Sequence, residues 1–183
     1  MRAQRTPGIR PQLSIRRRLD TAARVSVPAV TLAWMLLFMA APFGFAGQAE
    51  VQRSAALCCV FFWSLYRPTS LPAFVVFGLG VLADLLSYSP PGVTVLVWLL
   101  AQSMALRWRR SLVRLGFILV WFSFISVACG AAVLEWAMTS LLNVRLLPPG
   151  AAFFEAALGV GLYPIITVVL TMMHQTLADP EGA

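Results

Sequence analysis

Long apolar runs with almost no charge constrain this chain more than any other feature. Six can be marked: about 27–46, 54–66, 71–88, 93–106, 115–141 and 151–174. Only 11% of the 183 residues are charged, against roughly 25% in a soluble domain. Runs of this kind place a chain in a lipid bilayer. Helices are the expected form, because backbone facing lipid must satisfy its own hydrogen bonds. The alternating strands of a membrane barrel are not present. The expected fold is an all-α integral membrane protein, a six-transmembrane-helix bundle with both termini cytoplasmic.

Arginine sets the orientation. The net charge is +7, and all fourteen basic residues are Arg. Seven lie in the N-terminal tail, Arg67 sits between the second and third runs, and four lie between Arg107 and Arg114. With six spans and an inside N-terminus, twelve Arg are cytoplasmic and only Arg53 and Arg145 are outside. The positive-inside rule favours that arrangement. The second run, Ser54–Tyr66, is the short one. Its 13 residues make roughly 20 Å of helix against a core of about 30 Å. A start near Val51 lengthens it. The implied division is a basic cytoplasmic tail over 1–26, a six-span domain over 27–174 and a short cytoplasmic tail over 175–183. The tail pattern Ser14-Ile15-Arg16-Arg17-Arg18-Leu19 loosely resembles a twin-arginine signal, but the apolar run behind it is long for a cleaved one. An uncleaved first span is expected, and Leu13–Val25 suits a basic amphipathic helix on anionic lipid. Charge confined to the intervals between apolar runs also argues against a nucleic-acid face.

Three acids fall within the runs: Asp84, Glu135 and Glu155. Carboxylates are costly in lipid, so each needs a partner or a task. In the six-span topology all three sit roughly 6–9 Å inside the outer boundary. Arg145, on the loop between the last two runs, is the expected counter-ion for Glu135 or Glu155. Asp84, Glu135, Arg145 and Glu155 therefore form a candidate polar site, for partner docking or for structure. Gly78 and Gly80, and likewise Gly159 and Gly161, suit close helix packing. Pro164 should free the carbonyl of Val160 and kink the last helix. Trp63, Tyr66, Tyr88 and Trp108 fall near run boundaries, as interfacial aromatics do. Cys58, Cys59 and Cys129 read as small packing residues. The single histidine, His174, cannot form a metal site alone. No phosphate loop, nucleophile–base set or paired acid–base signature is present. No catalysis, metal or cofactor is expected.

The segment from Trp63 to Gly92 carries a resemblance. Trp63-Ser64-Leu65-Tyr66-Arg67-Pro68, then Gly78 and Gly80, then Asp84-Leu85-Leu86 and Pro91-Gly92, resembles the MreD family of rod shape-determining proteins. That family has an aromatic-rich helix ending in Arg-Pro, a glycine-bearing helix leading to Asp-Leu, and a Pro/Leu-Gly turn. The resemblance implies a non-enzymatic subunit of the rod complex, or elongasome, in the bacterial inner membrane. It implies association with MreC, and through it with the MreB-type filament and the glycosyltransferase and transpeptidase of lateral peptidoglycan synthesis. Membrane lipid surrounds such a protein, and no nucleic acid is involved. The family also looks like the substrate-binding subunits of energy-coupling-factor (ECF) small-molecule transporters, which is the alternative expectation.

Overall fold

The computed structural model describes residues 15–41, 44, 46–87, 90–114 and 116–178, with only the backbone described for 15–25 and 174–178. These residues form six helices and no strand: α1 (Ile15–Ala40), α2 (Gln48–Tyr66), α3 (Ala73–Ser87), α4 (Val93–Leu112), α5 (Phe117–Leu142) and α6 (Gly150–Ala178). Two of them, α5 and α6, contain stretches long and apolar enough to cross a membrane. Each apolar run of the sequence corresponds to one helix. The ends differ where charge was taken as a boundary. α1 begins at Ile15 and continues without a break across residue 26, with Pro28 inside it. Tyr88 and the N-terminal residues 1–14 lie outside the described residues.

The largest departure from expectation is α2. It starts six residues before Ser54, at Gln48, and its 19 residues span about 28 Å. The sequence ended the apolar run at Arg53, but Gln48, Glu50, Gln52 and Arg53 are all helical. They are tolerated because neighbouring helices satisfy them. Gln48 Nε2 donates to the carbonyl of Met39 at 2.6 Å, capping the end of α1. Gln52 Nε2 donates to Leu36 O at 3.3 Å.

α2 is also the centre of the bundle. Every residue from Ser54 to Leu65 is buried, and α1, α4, α5 and α6 all pack against it. Trp63 is fully buried in the core, so it is no interfacial aromatic. Buried residues of an ordinary soluble fold are screened by polar surfaces. Here the outward faces instead carry Trp34, Phe74, Leu85, Ile118, Phe153 and Ile165, all more than half exposed. The surrounding helices thus present apolar side chains outward as well as inward.

Pairings fix the directions. Ser54 Oγ donates to Glu155 O at 2.9 Å, and Cys58 Sγ lies 3.6 Å from Gly159 O. A constant offset means that α2 and α6 run parallel. Arg109 Nε donates to Leu65 O at 2.7 Å, so α4 runs with them. The connections α1–α2, α3–α4 and α5–α6 therefore gather at one end, called the upper end below. At the lower end, Arg109 and Gln102 hold the Arg67–Pro68 turn, Gln102 Nε2 donating to Leu71 O at 2.7 Å.

Close packing follows the small residues selectively. A Cβ on Gly80 would meet Val95 Cα at 3.0 Å, so α3 and α4 touch backbone to backbone there. Gly159 faces Ser54, Phe124 and Ala128 at ordinary contact distance. Gly78 and Gly161 face open space, so these two do not serve as packing notches. In the lower half, Phe61 of α2, Phe124 of α5 and Tyr163 of α6 cluster, with the Phe124 and Tyr163 rings stacked at 4.2 Å. Pro164 does leave Val160 O without a helical donor, and the indole N–H of Trp121 supplies one at 3.1 Å. The carbonyl freed by Pro164 is thereby tied to α5.

Candidate functional site: a buried ion cluster and a capped turn

The upper end holds two buried acid sites. The first is a charge cluster. Arg53 projects from the second turn of α2, Glu135 from the last third of α5 and Glu155 from the second turn of α6. Because α2 and α6 are parallel and start level, Arg53 and Glu155 face each other by register. Arg53 Nε lies 3.1 Å from a Glu135 carboxylate oxygen and 3.2 Å from one of Glu155. Glu50, one turn earlier on α2, stands 4.0 Å from the same guanidinium. The side chains of Arg53, Glu135 and Glu155 are 17%, 15% and 13% exposed. At such burial a lone charge costs several kcal/mol, so the shared guanidinium is what makes both carboxylates tolerable.

This corrects one expectation. The partner of Glu135 and Glu155 is Arg53, not Arg145. Arg145 is exposed on the α5–α6 connection and makes no ion pair among the described residues. That connection is rigidly closed all the same. Val144 N–H donates to Leu141 O and Arg145 N–H to Ser140 O, both at 3.1 Å, with Val144 at φ 49°. The pair of bonds is a Schellman stop with valine where glycine usually sits.

Asp84 is the second site. It is 4% exposed, near the end of α3, and faces the start of α4. One carboxylate oxygen accepts from Gly92 N–H at 2.7 Å, the other from Thr94 N–H at 3.2 Å. These amides belong to the first turn of α4 and have no helical acceptor. A carboxylate at a helix N-terminus also meets the positive end of its dipole. Gly92 adopts φ 93°, a conformation that glycine allows at little cost. Asp84 is thus fully employed within the α3–α4 hairpin.

Thr94 joins the two sites. Its N–H serves Asp84, while its hydroxyl is buried with no hydrogen-bond partner. Thr94 lines a cavity of about 10 Å³ together with Arg53, Glu135 and Glu155. A second space of about 150 Å³ adjoins the same three charged residues and reaches Trp136, Thr139, Leu147 and Pro148 of the upper rim. Trp136 Nε1 donates to Leu147 O at 2.9 Å and holds the rim in place.

Of the four acids and bases singled out in the sequence, the fold brings Glu135 and Glu155 together, sets Asp84 beside them through Thr94, and leaves Arg145 apart. Arg53 and Thr94 were missed. The signal for Arg53 was its spacing from Glu50, an i,i+3 pair that suits a helix already under way. Cys58 and Cys59 are buried, whereas Cys129 is exposed. No group of three metal-binding side chains occurs among the described residues. No family model, curated protein or solved structure matches the chain.

Proposed function

We propose that this chain is a six-span protein of the bacterial inner membrane with both termini cytoplasmic. In this reading it is a non-enzymatic subunit of the rod complex, scaffolding or regulating lateral peptidoglycan synthesis. The observation that carries it is the Asp84 hairpin. The residues behind the MreD resemblance are those that build one unit: Arg67-Pro68 turns α2 into α3, Gly80 admits α4, and Asp84 closes on Gly92. A motif spent on holding a hairpin together suits a scaffold better than a reaction centre. The six-span topology draws support from the alternating helix directions and from the distribution of Arg. MreC is the expected direct partner, bound through lateral helix packing.

Depletion in the native host followed by microscopy tests this. Loss of rod shape and dispersed wall insertion are expected. Unchanged shape and unchanged insertion sites would refute it. The space at the upper end favours one other reading, an ECF-type substrate-binding subunit. Extraction in mild detergent separates the two: MreC in the isolated complex supports scaffolding, and an energising ATPase pair supports transport.

A further inference from the structure

The lower end carries charge of one sign. Arg107, Arg110 and Arg114 stand exposed at the end of α4 and on the turn after it, and make no ion pair among the described residues. The four acidic side chains described, Glu50, Asp84, Glu135 and Glu155, all belong to the upper end. Val113 N–H donates to Arg109 O and Arg114 N–H to Ser111 O, which carries the helical course past Leu112. Arg107, Arg110 and Arg114 therefore follow one outward edge of α4, at positions i, i+3 and i+7. Arg109, between them, is turned inward to Leu65 O.

The neighbouring helix sets what these guanidiniums meet. α5 packs against α4 in the opposite direction, so its first two turns stand level with the last two of α4. Those turns present Phe117, Ile118, Leu119 and Phe122 outward, all close to half exposed or more. In a bilayer, guanidiniums level with an outward apolar face lie at the boundary between acyl chains and headgroups. Trp108 beside them, also exposed, is a residue type of that boundary. The counter-charge at that depth is a lipid phosphate. Above, α4 and α5 part to leave an apolar groove of about 180 Å³, lined by Leu100, Ala101, Met104, Val127 and Gly130 among others. A Cβ on Gly130 would meet nothing within 4 Å, so the groove is open there. On α4, Val97, Leu100, Ala101 and Met104 line it at helical spacing, and the next positions on that face are Arg107, Trp108, Ser111 and Arg114. One face thus leads from an apolar slot to an indole, a hydroxyl and two guanidiniums.

We propose that this face binds an anionic phospholipid. Its phosphate sits at Arg107 and Arg114, where planar guanidiniums suit paired contacts to phosphate oxygens and the Ser111 hydroxyl adds a donor. One acyl chain lies in the α4–α5 groove over Gly130. A zwitterionic head fits less well, because its ammonium meets the same row of positive charges with no described carboxylate to receive it. The proposal rests on the membrane reading and not on a role in wall synthesis.

Native mass spectrometry tests it on the full chain released from vesicles of equal phosphatidylglycerol, phosphatidylethanolamine and phosphatidylcholine. Retained phosphatidylglycerol is expected, favoured about tenfold over each of the others, the ratio that one hydrogen bond to a charged group gives. Arg107→Gln combined with Arg114→Gln should abolish that preference; both side chains are exposed, so folding is not at stake. Gly130→Leu, which fills the groove without changing charge, should lower lipid retention several-fold. Arg145→Gln, at the other end, should leave the ratio as it is. Equal retention of the three lipids overturns the proposal and leaves the guanidiniums to an acidic protein segment. An unchanged ratio in the double variant overturns it too, as does an equal fall from Arg145→Gln, which would mean attraction by net charge alone. Unchanged retention in Gly130→Leu refutes the seating in the groove; should that variant fail to fold, the double variant still decides. A chain that does not enter the vesicles at all refutes the membrane reading itself, a result distinct from equal retention.

Discussion

Asp84 and the Arg53 cluster lie at the same end of the bundle, are both buried, and solve the cost of a buried carboxylate in opposite ways. Asp84 takes two backbone amides and no counter-charge. Both of its oxygens are occupied, and both donors needed an acceptor in any case. Glu135 and Glu155 instead divide one guanidinium between them. The first arrangement is local, closed and confined to one hairpin. The second joins three helices distant in sequence around a single cation. Burial of an acid alone therefore says little about function; the accounting of its partners says more.

The two sites should respond unequally to mutation. The largest effect should come from Arg53→Met, which strands two buried carboxylates. A loss of about 3–5 kcal/mol is expected, read as a fall in the melting temperature of the detergent-solubilised protein. Arg145→Met should leave the melt unchanged within about 0.5 kcal/mol. A similar loss from both would break the comparison.

Neutralising the acids sharpens it. Asp84→Asn turns an amide N–H toward the donors of Gly92 or Thr94 and should cost about 1.5–3 kcal/mol. Glu155→Gln keeps an acceptor for Arg53, so its cost should stay near or below about 1 kcal/mol. The reverse order in thermal melts would mean that the cluster, not the hairpin, is the fully paired site.

Smaller effects probe the frames around each site. Gly80→Ala forces a Cβ against Val95 Cα and should cost about 1–3 kcal/mol. Gly78→Ala faces open space and should be neutral or stabilising by up to about 1 kcal/mol. On the cluster side, Val144→Gly relieves the left-handed position at the end of α5 and should stabilise by about 1 kcal/mol.

The hairpin was the legible part of the sequence. Pro-Pro-Gly marks its turn, and Asp84 lies close enough in the chain to reach that turn. Local chemistry of this kind has a short sequence signature. The cluster had none, because Arg53 and its acids are 82 and 102 residues apart. Pairing Glu155 with the nearer Arg145 was the natural inference from sequence distance. The register of α2 against α6 overrules it, and that register follows from α2 beginning at Gln48 rather than Ser54. Hydropathy draws helix ends where charge begins. It misses a helix whose charged turn lies inside the bundle, as it missed that the shortest apolar run is the central helix.

Arg53 on α2 is the counter-ion that ties α5 and α6 to the core. A double-mutant cycle between Arg53→Met and Glu155→Gln, measured by unfolding in detergent, tests it most directly. A coupling of about 1–3 kcal/mol between the two positions is expected. Additivity within about 0.5 kcal/mol would contradict it.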